Sequence, residues 1–232
     1  MSMTNIVKRQ KKELRPTLEE VLDNLGPLPT EAVLMGVVEE DGLPLLFDTH
    51  NWSGNVSPNI LIWNGETSFL KVVAEFILNR DERSQLQDEI EFVVFTNNVE
   101  EWDFLMNKTS KVKNSPCIGV IPFWSDVADQ VLLALGNWIH DGYHPNHSVI
   151  VLVEGVENIL KMDTTAKQNF NYILLQGGNK RVFAVGTVTD DKTLYGLKDL
   201  FKTKARYEEE SDRYEFPEGN KKIEVWLPKT EI

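Results

Sequence analysis

Apolar residues are distributed along this chain in two alternating rhythms. Short continuous runs have the length of strands buried on both faces: Ile60 to Trp63, Glu91 to Thr96, Cys117 to Ile121, Val149 to Val153 and Arg181 to Gly186. Between them, apolar positions recur every three or four residues, as helices require. Phe69, Val72, Val73, Phe76 and Ile77 form one such stripe. Val127, Val131, Leu132, Leu135 and Ile139 form a second, opened by Ser125 as its cap, and a third helix spans Thr164 to Leu175. Buried strands alternating with amphipathic helices predict an α/β fold: a mostly parallel sheet with helices on both faces.

The flanks follow other patterns. Thr17-Leu-Glu-Glu20 reads as a capping box, and Leu18, Val21, Leu22 and Leu25 give its helix one apolar face, ended by Gly26-Pro27. Ala32 to Val38 and Leu43 to Asp48 form a hairpin across an acidic turn, with Asp41-Gly42 as a two-residue turn signal. Val99 to Met106 and Leu194 to Phe201 read as short helices, and Lys222 to Leu227 as a closing edge strand. A chain of 232 residues with this order suits one domain over residues 17–232, made of a helix and hairpin (17–58) and a core (59–232). Residues 1–16 form a basic, flexible arm.

A hydrophobic fraction of 41% is enough for a large core, yet no run reaches the ~18 apolar residues of a membrane span. The start of the sequence lacks the apolar segment of a signal peptide, and the lone Cys117 excludes an internal disulfide. Both point to the cytoplasm. The net charge of -12 disfavours a surface that binds nucleic acid broadly. The arm departs from it: Lys8, Arg9, Lys11, Lys12 and Arg15 against Glu13 give +4, leaving -16 on the remainder. Such an arm suits DNA, an anionic membrane or an acidic neighbour, or is a solvated tail.

Candidate chemistry centres on the stretch from Asn59 to Leu78. A strand, a tight turn at Asn64-Gly65 and a helix is the layout of a phosphate-binding loop, G-x-x-x-x-G-K-[ST]. Asn64, Gly65, Glu66, Thr67 and Ser68 would face phosphate, with Lys71 as the cation. Leu70 then replaces the second glycine and Val72 the Mg²⁺-binding hydroxyl, so ATP binding stays open while Mg²⁺ binding is disfavoured. Glu154, after the Val149 to Val153 strand, stands where such a site places a carboxylate, or it merely ends a core strand at solvent. The next residue, Gly155, leaves no second glutamate to polarise water; that assistance is typically worth ~10²–10⁴ in rate.

In order and spacing, residues Ala32 to Leu227 resemble the FtsK/HerA class of RecA-like ring ATPases. Asp41-Gly-Leu-Pro-Leu-Leu-Phe-Asp48 is similar to the family's hairpin before the phosphate loop. Phe92 to Thr96 followed by Val99 to Leu105 resembles the D-P-K-x-x-E-L stretch. Val149 to Leu160 resembles V-V-V-I-D-E-x-A-D-L-M, and Val182 to Thr187 the strand before A-T-Q, which places a polar sensor at Thr187. The helix Ala128 to Ile139 matches one that ends in a basic residue, but here it runs into Trp138-Ile-His-Asp-Gly142 with no arginine. The resemblance implies a P-loop NTPase fold, a ring-type homo- or hetero-oligomer, ATP between subunits and DNA at the centre. The altered loop, the missing glutamate and the absent arginine imply an FtsK/HerA-like domain without hydrolysis, acting as a structural or interaction subunit. An atypical DNA translocase using Lys71 and Glu154, and a nucleotide-binding switch without turnover, stay open beside it.

Other reactive residues have plainer readings. His140, His144 and His147 cluster beside Asp141, but Gly142 and Pro145 break any helical ligand pair, so no metal site is assigned. Cys117 reads as a buried strand residue. Trp52, Trp63, Trp102, Trp124, Trp138 and Trp226 read as core or interface anchors, and Lys108, Lys111 and Lys113 form the only basic cluster outside the arm.

Overall fold

The structure, a computed structural model, describes residues 15–25, 32–49, 59–83, 89–105, 115–142, 146–189, 194, 196–218 and 220–230. Most of the arm, Gly26-Pro27, the approach segment 51–58, the lysines of 106–114 and His144 lie outside them. The capping box forms as its residues require: the Thr17 N–H donates to Glu20 Oε2 (2.8 Å) and the Glu20 N–H to Thr17 Oγ1 (3.1 Å), opening α1 (Leu18–Leu25).

The strands and helices follow as β1 (Ala32–Val38), β2 (Pro44–Asp48), β3 (Ile60–Trp63), α2 (Thr67–Arg83), β4 (Glu89–Thr96), β5 (Cys117–Pro122), α3 (Asp126–Asp141), β6 (His147–Val153), α4 (Thr164–Gln176), β7 (Val182–Val188), β8 (Thr203–Glu208), β9 (Arg213–Glu218) and β10 (Lys221–Trp226). All ten strands join one sheet in the order β2-β1-β10-β9-β8-β3-β7-β6-β4-β5. The six from β8 to β5 are parallel, and the other four continue the sheet antiparallel.

Alternation along each parallel strand divides the core in two. Ile60, Ile62, Phe92, Val94, Ile150 and Leu152 face α1 and α2, while Leu61, Val93, Phe95, Val151 and Val153 face α3 and α4. Burial on both faces is what makes these strands continuous apolar runs. Asn59, just before β3, is buried and ties three elements: its Nδ2 donates to the Leu174 carbonyl (2.9 Å), and its Oδ1 accepts from the Ala184 N–H (2.9 Å). That link fixes the height of β3 against β7 and α4.

Several expectations change. Lys222 to Leu227 was expected at an edge, yet β10 lies inside the sheet between β1 and β9. The hairpin turn holds four residues rather than two, because Val38 N–H pairs with the Leu43 carbonyl (2.8 Å) and only Gly42 adopts a positive φ, +71°. Among the described residues Leu194 to Phe201 carries a 3₁₀ turn, Leu197–Asp199, and the short helix expected from Val99 opens as a 3₁₀ turn, Val99–Trp102, before continuing as α-helix over 103–105. Trp102 is fully buried, whereas Trp124 is 78% exposed. Burial pushes the Cys117 thiol up to about 11, leaving it an inert strand residue at neutral pH.

At the opposite end of the sheet from the strand C-termini, His147 Nε2 lies 2.6 Å from Glu91 Oε2, with Glu89 3.6 Å from Nδ1 and the Trp138 ring edge-on at 5.0 Å. The hydrogen bond to Glu91 raises the His147 pKa, opposed by partial burial and by Arg181 and helped by the charges of Glu91 and Glu89. Two outcomes follow from these contacts. Asn59→Ala should lose about 2–3 kcal/mol in urea unfolding, since it strands two buried backbone groups. Because the folded pKa is raised, the stability His147 contributes is full below its ordinary value of ~6.5 and fades as pH rises through the folded one. Unfolding measured across pH should therefore show wild type exceeding His147→Gln most in mild acid; an advantage that grows with pH would contradict this.

Candidate functional site

The C-terminal ends of β3, β4, β6 and β7 converge on a cleft of about 340 Å³, lined by Gly65, Glu66, Thr67, Asn97, Asn98, Glu154, Gly155, Asn158, Thr187 and Thr189. Open parallel sheets place their crevices at this edge. Because β7 lies between β3 and β6, the turn after β3 and the carboxylate after β6 face each other across Thr187.

The turn is short. Asn64 takes φ +52° and its N–H donates to the Val188 carbonyl (2.9 Å), and the helix has already begun at Thr67. Gly65 is set by close packing: a Cβ there would lie 2.7 Å from Ile62 Cγ2 and 3.0 Å from Thr187 Cγ2. Only Asn64, Gly65 and Glu66 separate strand from helix, so α2 begins before the position expected for the lysine.

This early helix start alters the placement expected for the lysine. Leu70 and Val72 are buried in the core at 0% and 2% exposure. Lys71 lies one turn into α2, outside the residues lining the cleft, and its Nζ pairs with Glu101 Oε2 at 3.3 Å. The residues at the helix start, where K-[ST] belongs, are Glu66 and Thr67. Thus Thr67, not Val72, holds the hydroxyl position, and a glutamate holds the lysine position. Counting forward from the end of β3 to the first residue able to open the helix would have found this register; applying the motif spacing from Gly65 did not.

Glu154 is fully engaged. Its Oε1 accepts from Thr67 Oγ1 (2.5 Å), and its Oε2 accepts from Thr96 Oγ1 (2.5 Å) and from the Trp102 indole N–H (3.2 Å). Its own N–H donates to the Phe95 carbonyl (2.8 Å). Thr96 and Trp102 escaped the sequence reading because their link to Glu154 is made only by the pairing of β4 with β6. Gly155 follows with φ +79°, and its N–H donates to Thr187 Oγ1 (3.1 Å), so the threonine in the sensor position orients the turn after β6. Ser68 points elsewhere, with its Oγ 3.4 Å from both Glu66 Oε2 and the Tyr214 hydroxyl in a neighbouring groove of about 230 Å³ that Arg15 and Asp212 also line. Burial drives the Tyr214 phenol well above its ordinary range.

None of the ten residues lining the cleft is a lysine or arginine. Among the described residues no group of three or more His, Cys, Asp or Glu is arranged to hold a metal, and no helix is long and apolar enough to cross a membrane.

No protein-family model and no curated protein matches the sequence. Solved structures do share the fold. The conjugation coupling protein TcpA of pCW3, in a monomer form with ATPγS, superposes with TM-score 0.66 at 12% identity, over 92% of this chain and 69% of that one. The cytoplasmic domain of EssC gives 0.65 at 12%, over 94% of this chain and 48% of its own. Thermomonospora curvata EccC, ATPases 2 and 3 with a signal sequence peptide, gives 0.61 at 11%, over 87% and 41%. The chain therefore spans less than half the length of the EccC and EssC structures. The strand order, the cleft at the strand C-termini and these superpositions agree: the chain has the fold of FtsK-type RecA-like P-loop ATPases.

Proposed function

We propose that this domain has kept the FtsK-like fold without ATP hydrolysis and serves in the cytoplasm as a structural or interaction subunit of a ring or other multiprotein assembly. The observation that carries the proposal is a cleft that no lysine or arginine lines. A triphosphate arriving there meets Glu154, with the exposed Glu66 on the rim shared with the Tyr214 groove, and like charges brought close repel. Lys71 lies outside the cleft lining and pairs with the half-exposed Glu101 at 3.3 Å. Thr67 and Glu154 retain the hydroxyl and carboxylate of a Mg²⁺ site, but they bond to each other, and binding the ion would first have to part them.

Two further features support the same reading. Gly155 leaves no carboxylate at the position that would activate water, and α3 ends in His140 and Asp141 rather than an arginine. The negative charge of the body disfavours a DNA-threading role. Calorimetric titration with ATPγS and Mg²⁺, wild type beside Lys71→Ala, tests the proposal. It predicts no saturable binding at millimolar ligand in either protein. Binding to wild type that is lost in Lys71→Ala would overturn it and restore a nucleotide-binding switch or an atypical motor.

A further inference from the structure

We propose that Asn64-Gly65 is a site of self-modification: the Gly65 nitrogen attacks the Asn64 side chain, and the turn between β3 and α2 converts slowly to an aspartyl or isoaspartyl link. The assignment does not depend on whether the cleft takes a nucleotide.

The turn itself calls for this pair of residues. Position 64 has φ +52°, a left-handed conformation that asparagine tolerates better than most side chains. Position 65 has no room for a side chain, since a Cβ there would lie 2.7 Å from Ile62 Cγ2 and 3.0 Å from Thr187 Cγ2. Asparagine is a chemically labile residue, and glycine after it leaves the attacking nitrogen without a Cβ to shield it. This is the one Asn-Gly pair in the chain. The geometry that shapes the turn therefore also makes it reactive.

The contacts leave both reacting groups available. Asn64 is exposed, and its backbone N–H is spent on the Val188 carbonyl (2.9 Å). Among the described residues nothing bonds to its carboxamide or to the Gly65 N–H. Other asparagines differ. Asn59 is buried with both ends of its amide bonded, to the Leu174 carbonyl and the Ala184 N–H (2.9 Å each). Asn158 donates to the Gly155 carbonyl (3.1 Å) and accepts from Lys161 Nζ (2.9 Å).

The reaction needs no partner beyond solvent. The Gly65 nitrogen gives up its proton and forms a bond to Asn64 Cγ. The Cγ–Nδ2 bond breaks, and Nδ2 leaves as ammonia with that proton, closing a succinimide ring. Water then opens the ring. Attack at Cγ restores the original peptide bond with an aspartate at position 64. Attack at the main-chain carbonyl carbon leaves Gly65 joined through the side chain, an isoaspartyl link with a free α-carboxylate. Nothing is oxidised or reduced.

Either product changes the site. Both add a negative charge near Glu66 at the rim of the cleft. The isoaspartyl link also puts one more carbon in the path from β3 to α2, about 1.5 Å of chain. Thr67 Oγ1 lies 2.5 Å from Glu154 Oε1, and a displacement of that size takes the pair beyond hydrogen-bonding distance. The turn is then a slow, one-way switch that loosens α2 from the carboxylate.

The test holds the full chain, folded, at mildly alkaline pH. Peptide mapping by mass spectrometry and labelling by an isoaspartyl methyltransferase follow the change. Conversion should appear at Asn64 before any other asparagine, at a rate within a few-fold of that in urea. The converted fraction should melt at a lower temperature than fresh protein. Asn64→Gly keeps the positive φ and lacks the carboxamide, so the same incubation should neither label its turn nor lower its melting temperature. An Asn64 that stays an amide in the folded protein while converting in urea would overturn the proposal, because the turn would then protect it. A converted fraction that melts with fresh protein would overturn the link to Thr67 and Glu154.

Discussion

The carboxylate of Glu154 draws three parts of the structure to one point. It receives the hydroxyl of Thr67 from the start of α2, the hydroxyl of Thr96 from the end of β4 and the indole of Trp102 from the 3₁₀ turn behind it. A strand-end carboxylate with one oxygen facing solvent is ready to hold a hydrated cation. One with both oxygens bonded to neutral donors is a fastening, because charge-assisted bonds of this kind are about twice as strong as neutral ones. Both of its oxygens are spent on the protein itself.

The remaining features of the site fit around it. A turn of three residues leads to Thr67, whose hydroxyl reaches Glu154. Glu66 stands on the rim shared by the cleft and the Tyr214 groove, and the packing of Gly65 on Ile62 and Thr187 admits no side chain. Lys71, a turn further along, is committed to Glu101. The chain thus has the fold of these ATPases, with Thr67 and Glu154 bonded to each other at the edge of the cleft.

Most of this architecture was legible in the sequence, because strands buried on both faces and amphipathic helices leave periodic traces. Ile60 to Trp63 matches β3 in full, and Ser125 caps α3 through its bond from the Val127 N–H. What escaped was non-local. Nothing near Lys222 reveals that β10 pairs with β1, thousands of atoms away along the chain but adjacent in the sheet through Val37 and Trp226. β8 alternates exposed Lys204 and Arg206 with buried Thr203, Ala205 and Tyr207, a two-residue period that a charged stretch obscures. At the site, Glu154 was recognisable from its place after a buried strand, but its three partners were not. Lys71 was expected at the phosphates, and the early start of α2 at Thr67 leaves it outside the residues that line the cleft.

Replacing Glu154 with alanine and measuring unfolding free energy beside ATPγS binding tests the central claim most directly. If the carboxylate is a fastening, the variant loses about 2–3 kcal/mol, as expected when charge-assisted bonds are broken and their donors left unpaired, and nucleotide binding is absent before and after. Unchanged stability, together with nucleotide binding or hydrolysis present in wild type and lost in the variant, would contradict the account and return Glu154 to a catalytic role.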